Sequence, residues 1–519
     1  MTLSPVRAVV DLDTVPGCAE AAALARDYAV IPVYREFLAD ALTPITVFNR
    51  LCGPDDTGFL LESVPVGGDV GRYSYVGHRP RLLEQPAGDP LAALREIAAT
   101  RAAPVPGAPP FHGGVVGYLG YEAASRFERL PVPDGPAPGV PESAFMTAED
   151  LVVFDHATRK LLTLTLFRPD RESYGDAVER LDRMGLCLRS APWAPELVGR
   201  AARPVPDGPR TAPDVEGWRS NVTREEFERR VVRAREYIAA GDAFQIVLSQ
   251  RFSRPLRVTP LDLYRHLRAV NPSPYMYHLS LGGGRHVVGA SPELLVRTDG
   301  RTARTKPLAG SRPRGATPND DLAMERDLRD DAKECAEHVM LVDLGRHDIG
   351  RVCAPGTVRV ERLMEVERFS HVMHLSSTVA GELLPEATCL DALRWAFPAG
   401  TLSGAPKIRA MEIIAGLEED RRGVYGGAIG FVGVGDKADL AIGLRTMVIA
   451  DDTVYVQAGA GVVAESDPAA EYLETLHKAG ALFSAVREAE ATNAPPGATG
   501  RTEATNALFG AAGEMEAGR

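Results

Sequence analysis

Residues 444–458 read LRTMVIADDTVYVQA. Two runs rich in Val, Ile, Thr and Tyr, Leu444 to Ala450 and Thr453 to Ala458, meet at Asp451-Asp452. Such side chains suit a pleated, half-buried surface, and two polar residues between them are enough for a tight turn. The stretch predicts an antiparallel hairpin. Upstream, Phe244 to Leu248, Tyr275 to Leu281 and His286 to Val296 are strand-like runs with Gly or Pro between them. Thr223-Arg-Glu-Glu226 reads as a capping box, and Phe227, Val231, Ala234 and Ile238 then recur on one helical face until Gly241. Residues 322–344 and 469–487 are helical by length, spacing and Ala/Glu/Leu content. Strands and helices thus mix without βαβ alternation, which predicts an α+β or layered α/β architecture with antiparallel pairing.

Composition agrees with such a fold. The chain has 519 residues, 45% hydrophobic and 25% charged, which excludes a disordered or fibrous protein. Seventy acidic residues against 58 basic ones give a net charge of -12. That field gives no support to nucleic-acid or anionic-membrane binding, so an anionic substrate needs a local basic site. Six cysteines (Cys18, Cys52, Cys187, Cys335, Cys353, Cys389) form no CxxC pair, against a structural zinc site or disulfide framework, and they suit a reducing cytoplasm. Residues 1–30 lack a basic start followed by an apolar run, so no signal peptide is expected, and no apolar stretch is long enough to span a membrane.

Pro192, Pro195, Pro204, Pro206, Pro209 and Pro213 break helices and remove ladder donors, marking 189–217 as a linker. It divides the chain into an N-terminal domain at 21–188 and a second domain at 218–487. Residues 1–20 and 488–519, rich in Ala, Gly, Thr and Glu, are expected to be disordered tails.

Several groups of residues carry chemical potential. Glu334 and Glu337 in KECAEH, and Glu471 and Glu474 in EYLETLHK, are carboxylate pairs three apart, hence on one helix face each. If the helices converge, oxygen-only ligation suits Mg²⁺; otherwise both are solvated faces, with Glu474 and Lys478 an ordinary ion pair. Gly400 to Lys407, GTLSGAPK, offers small residues and a lysine for an anion nest but is not a Walker loop. Gln457-Ala-Gly-Ala-Gly461 ends a strand with bare backbone N–H groups that either approach a carboxylate or form a bulge. His371 and His374 in SHVMH, and His347, lack an HExxH context, and there is neither a GxSxG elbow nor a GxGxxG fingerprint. Each histidine is either structural or a base.

In this order, AFQIVLSQR, NPSPYMYHL, GASPELLVR, KPLAGSRPRG, AEHVMLVDLGR, FSHVMHLSSTVAGEL, FPAGTLSGAPKIRAME, RRGVYGGAIGF, LRTMVI and YVQAGAGVVAESDPAAEYLETLHKA resemble the chorismate-utilising enzymes. Among these they are most similar to the anthranilate synthase component I chains. The resemblance implies an α/β sandwich of antiparallel sheets packed face to face with helices outside, and N-terminal segments that pack onto the catalytic part. It also implies conversion of chorismate and ammonia to anthranilate and pyruvate in tryptophan biosynthesis, with ammonia from a partner glutamine amidotransferase subunit. Mg²⁺ would be held by Glu337 and Glu474, helped by Glu334 and Glu471. Tyr425 and Arg445 would hold the enolpyruvyl carboxylate. Gly459, Ala460, Gly461, Gly310, Ser311, Thr401 and Lys478 would complete the substrate cradle. Glu293 matches the general acid, and His374 stands beside the ring as the base of the elimination step.

Members that add water carry lysine where this chain has Gln245, and aminodeoxychorismate synthases carry a lysine nucleophile where it has Ala309. Both differences favour anthranilate over those products. LLES, ending at Ser63, together with Pro274, Tyr275 and Met276, matches a tryptophan-inhibition site. His347 and His477 replace asparagines usual in the family, and no glutaminase nucleophile in a GxCxG context is present. The alternatives are a 2-amino-2-deoxyisochorismate synthase, which stops before pyruvate loss, and a catalytically silent tryptophan-binding scaffold.

Overall fold

The computed structural model describes residues 13–38, 40–63, 71–84, 88–190, 215–369 and 372–493. The hairpin forms as its sequence predicts, between strands Thr446–Ala450 and Thr453–Val462. Asp451 (φ 49°) and Asp452 (φ 52°) both adopt the left-handed conformation, the signature of a turn whose twist matches that of its strands. The second strand continues to Val462 and pairs along its whole length with Gln245–Pro255, Gly459 opposite Ser249 and Gly461 opposite Val247.

These strands belong to a 12-stranded antiparallel sheet. Its order runs from Ile31–Leu38 through Lys160–Phe167, Asp150–Asp155, Tyr73–Gly77, Thr57–Glu62, Tyr275–Leu281, His286–Ser291 and the hairpin to Gln245–Pro255 and Gly404–Ala405. A second sheet, of nine strands, contains Leu308–Pro313, Val372–Glu382, Thr302–Lys306, Leu294–Asp299, Lys437–Ile442, Ala428–Gly433, Gly114–Leu119 and Ser143–Ala148 in that order. One apolar core joins the inner faces: Tyr75, Tyr277, Leu279 and Val287 from the first sheet cluster with Val116, Tyr118, Met146 and Ile429 from the second. Phe111 stacks on Phe431 with centroids 4.1 Å apart, and Tyr75 meets Phe111 edge-on at 5.3 Å. Helices, including Ala332–Gly350 and Pro468–Asn493, lie against the outer faces of the sheets. This is the layered antiparallel sandwich that the sequence predicts.

Four expectations need correction. Both sheets draw strands from 21–188 and from 218–487, so the two segments are not separate sheet structures, because the edge of one segment's strands is completed by the other's. Most of the 189–217 stretch lies outside the described residues, although helix Tyr174–Ser190 reaches its start. Parts of both expected tails are ordered: Val15 bridges to Tyr34, Cys18–Leu24 is helical, and the last helix runs past 488 to Asn493. The run 286–296 is not one strand. Pro292 has no N–H to donate, and at Pro292-Glu293 the chain leaves the larger sheet for the smaller one. Likewise 322–344 is two helices, Pro318–Asp330 and Ala332–Gly350, broken at Asp331, whose carboxylate caps the second by accepting from Lys333 N and Glu334 N.

Candidate active site

The crossing between sheets places Glu293 in the interior. Its side chain is 6% exposed and Oε1 accepts a hydrogen bond from Thr401 Oγ1 at 3.0 Å. Burial disfavours the carboxylate, and the pKa is pushed up to about 8 despite that hydrogen bond and the nearby Lys478 and Arg445 charges. Ile442 N donates to Glu293 O at 3.0 Å, tying the acid to the strand that leads into Arg445.

His374 comes from strand Val372–Glu382, beside Leu308–Pro313, with Ser311 directly opposite. Its Nδ1 lies 3.0 Å from Gly310 O and 3.0 Å from Ser311 Oγ. A carbonyl only accepts, so Nδ1 carries the proton and Nε2 keeps its lone pair. Nε2 is buried without a hydrogen-bond partner. Burial, then the Arg445 charge, lowers this imidazole's pKa to about 4. Gly310 is left-handed (φ 71°), and a Cβ there would stand 3.3 Å from Glu334 Oε2, so the bare backbone lets this turn approach the acidic helix.

Arg445 also has positive φ (46°), at the entrance to the hairpin. Among the described residues no carboxylate pairs with its guanidinium, and burial lowers its pKa while Glu293 opposes that shift. Tyr425 is buried. A Cβ on Gly459 would lie 2.6 Å from Tyr425 Oη and 2.6 Å from Leu248 O, so the glycine leaves room for phenol and strand together. Ala460 is fully buried on the same strand, and Gly461 abuts Gln245, whose Nε2 would be 2.7 Å from an added Cβ. Lys478 Nζ donates to Gly459 O at 3.1 Å and pairs with Glu474 at 2.7 Å.

The acidic residues occupy the two expected helices. Gln245 Nε2 donates to Glu337 Oε1 at 3.1 Å, joining the central strand to helix Ala332–Gly350. Glu334 is raised in pKa by burial and by Glu337, with Arg312 opposing at 3.5 Å. Glu471 is raised by burial, and Glu474 adds to the shift although a hydrogen bond from Ser466 opposes it; its Oε2 is buried without a partner. Among the described residues no three of His, Cys, Asp and Glu stand close enough together to hold one ion. The donor chemistry nevertheless fits a hard divalent cation: all four groups offer oxygen, two are raised in part by a neighbouring carboxylate, and one has an orphaned oxygen. His347, at 74% side-chain exposure, faces solvent near Asp343 and takes no part. His371 lies outside the described residues.

Lys407 departs from the anion-nest reading. Its ammonium pairs with Asp348 at 2.8 Å and donates to Ala396 O at 3.1 Å, closing the end of helix Cys389–Ala396. That loop serves the site through Thr401 instead. Sequence reasoning also missed Glu418 and Arg422, a buried ion pair beneath the cradle at 2.7 Å. Their i,i+4 spacing was the available signal, but a charged pair at that spacing ordinarily lies on a surface.

The residues expected at an inhibitor site meet where strands Thr57–Glu62 and Tyr275–Leu281 pair. Ser63 Oγ donates to Pro274 O at 2.8 Å, and Met276 is buried in the main core. Tyr275 Oη accepts from Arg297 at 3.1 Å and donates to Asp439 at 3.2 Å, across to the other sheet.

Comparison with known proteins gives the family. The family model described as chorismate binding enzyme matches residues 72–484. The chain is 67% identical to anthranilate synthase component 1 of Streptomyces coelicolor over 481 residues, 92% of this chain and 93% of that one. It is 44% identical to the protein of the same name from Pseudomonas putida, over 90% of this chain and 97% of that one. A crystal structure of anthranilate synthase component I from Streptococcus pneumoniae superposes with a TM-score of 0.71 at 38% identity, covering 86% of this chain and 98% of that one.

Proposed function

The chain belongs to the chorismate binding enzyme family, among the anthranilate synthase component I chains, and from that premise we propose that it converts chorismate and ammonia to anthranilate and pyruvate in tryptophan biosynthesis. One observation carries the proposal: a buried carboxylic acid and an unprotonated imidazole nitrogen both lie within the field of one buried guanidinium, Arg445, that no carboxylate among the described residues pairs with.

Chorismate carries two carboxylates. Arg445 and Tyr425 bind the enolpyruvyl carboxylate, and N–H groups along Gly459 to Gly461 approach it from the strand. Glu337 and Glu474, with Glu334 and Glu471, would hold Mg²⁺ near the ring carboxylate. When bound, the ion offsets repulsion between that carboxylate and the four glutamates. Glu293 gives its proton to the departing ring hydroxyl as ammonia adds, which requires the protonated acid that burial provides. His374 Nε2 then takes the proton from the ring carbon bearing nitrogen, and loss of pyruvate aromatises the ring. Gln245 is neutral and bonded to Glu337, so it offers no base to activate water.

Nitrogen reaches the chain as ammonia from a separate glutamine amidotransferase subunit. Tryptophan, bound by Ser63, Pro274, Tyr275 and Met276, inhibits, and chorismate and tryptophan weaken each other's binding equally. Six free cysteines suit a cytoplasmic setting, and among the described residues no helix is long and apolar enough to cross a membrane. Incubating the purified chain with chorismate, ammonium and Mg²⁺ and identifying products by mass tests the reaction. Anthranilate with pyruvate is expected, and rates should fall in excess chelator. Accumulation of 2-amino-2-deoxyisochorismate instead would assign the chain to the reaction that stops before pyruvate loss, and no turnover would leave a silent scaffold.

A further inference from the structure

Strand Gln245–Pro255 has the hairpin strand on one side. Its other side is covered by Gly404–Ala405 only at Gln245 and Ile246, and by Arg219–Ser220 only at Phe252 and Ser253. Between those short partners, backbone groups face a gap where no strand of the described residues pairs. A buried edge with unmade hydrogen bonds is unfavourable, so something must occupy it. Arg422 NH2 donates to Val247 O at 2.7 Å, and Glu418 Oε1 accepts from Ser249 N at 2.7 Å and from Ser249 Oγ at 3.0 Å. Two charged side chains stand in for the missing strand.

The same pair reaches three parts of the substrate cradle: the strand behind Gly459 and Gly461, the loop of Thr401, and the Tyr425 ring. Val247 and Ser249 lie directly opposite Gly461 and Gly459. Arg422 NH1 donates to Leu402 O at 2.7 Å, next to Thr401, the partner of Glu293. The guanidinium lies 4.6 Å from the Tyr121 ring centroid and 5.7 Å from that of Tyr425. Glu122 accepts from Arg422 N at 2.6 Å and Gly423 N at 3.0 Å, fixing the loop that carries Tyr425. Arg422 and Glu418 join each other by two bonds of 2.7 Å, and both are buried.

We propose that Glu418 and Arg422 are positioning residues, holding Tyr425, Thr401 and the Gly459–Gly461 backbone at the spacing that binds the substrate carboxylate. The bonds that stabilise this edge run to the backbone of the cradle itself, at Val247, Ser249 and Leu402. Removing one partner strands the other charge, and removing both strands Val247 O, Ser249 N and Leu402 O. Only a planar fork satisfies Leu402 O, Val247 O and both Glu418 oxygens together. The pair touches no reacting atom, and its effect passes through the cradle.

This inference rests on the chorismate reaction proposed above, and the closing experiment separates the two. The double variant Glu418→Leu/Arg422→Met and the single variant Arg422→Lys are assayed beside the parent with ammonium and Mg²⁺, and their thermal midpoints recorded. A positioning role predicts a double variant that folds with a lowered Tm, because Val247 O, Ser249 N and Leu402 O lose their partners, and whose chorismate KM is raised at least tenfold while kcat changes less. Arg422→Lys, keeping charge without the fork, should fall between. Parent KM in either folded variant overturns the inference, as does a kcat loss at unchanged KM. Should the double variant not fold, Arg422→Lys decides by the same KM criterion. A parent that does not turn over chorismate contradicts the proposed function itself.

Discussion

Burial drives Glu293 and His374 toward their neutral forms, and for an acid and a base that means opposite shifts. The carboxyl rises to about 8 and the imidazole falls to about 4, so near neutral pH the acid holds its proton and Nε2 is free to take one. A profile of kcat/KM should therefore be flat between these values. It falls above about 8 as Glu293 ionises, and below about 4 as His374 becomes cationic; a steady rise through pH 8 would contradict the acid role. The linked stability terms have opposite signs. Glu293's is full below its ordinary pKa and lost as pH rises through about 8, whereas His374's is full above its ordinary value and lost as pH falls through about 4. Separate roles also predict separate failures. Glu293→Gln should lose amination by about 10²-fold or more, in the range general acids contribute. His374→Phe should still aminate and let aminodeoxyisochorismate accumulate, which chromatography of the products detects. Anthranilate release at the parent rate, with no intermediate, would remove His374 from the mechanism.

At the scale of strands and helices, the cradle depends on how closely two strands approach. Gly459→Ala would put a methyl group against Leu248 O, which is backbone and cannot turn away, and against the Tyr425 hydroxyl. Chorismate KM should rise at least tenfold with a smaller change in kcat, and an unchanged KM would mean that the strand does not face the substrate. The junction of Thr57–Glu62 with Tyr275–Leu281 gives a second test. Ser63→Ala removes the hydroxyl that fastens the two strand ends, and calorimetric titration should show tryptophan affinity lowered severalfold while ammonia-dependent turnover persists. Equal affinity would exclude Ser63 from that site. Much at this scale was legible in the sequence, because hairpins and helix caps are local: Asp451-Asp452 turns as its neighbours predict, and Thr223 caps the helix that begins at Arg224 by accepting from Glu226 N. The transfer of the chain between sheets at Pro292 was not. Apolar residues continue on both sides of it, and only long-range pairing decides which sheet each half joins. Arg422 was hidden too, since nothing local to RRGVYGG shows that an open strand edge awaits its side chain.

For the whole molecule, the sandwich explains why segments far apart in sequence form one site. Strands from before and after the proline-rich stretch interleave in both sheets, so Glu293, His374, Arg445 and the hairpin glycines converge where the sheets meet helices Ala332–Gly350 and Pro468–Asn493. The buried carboxyl, the unprotonated imidazole and the guanidinium gathered there are the groups that the proposed amination and aromatisation call for, whereas the sequence shows no GxCxG nucleophile to release ammonia from glutamine. The central claim is that this chain alone performs all the ring chemistry and none of the glutamine chemistry. Its most direct test is the initial rate of anthranilate fluorescence from the purified chain with chorismate and Mg²⁺, supplied with either ammonium or glutamine. Steady anthranilate formation is expected with ammonium and none with glutamine until a glutaminase subunit is added; formation from glutamine by the pure chain, or no anthranilate with ammonium, would contradict this division of labour.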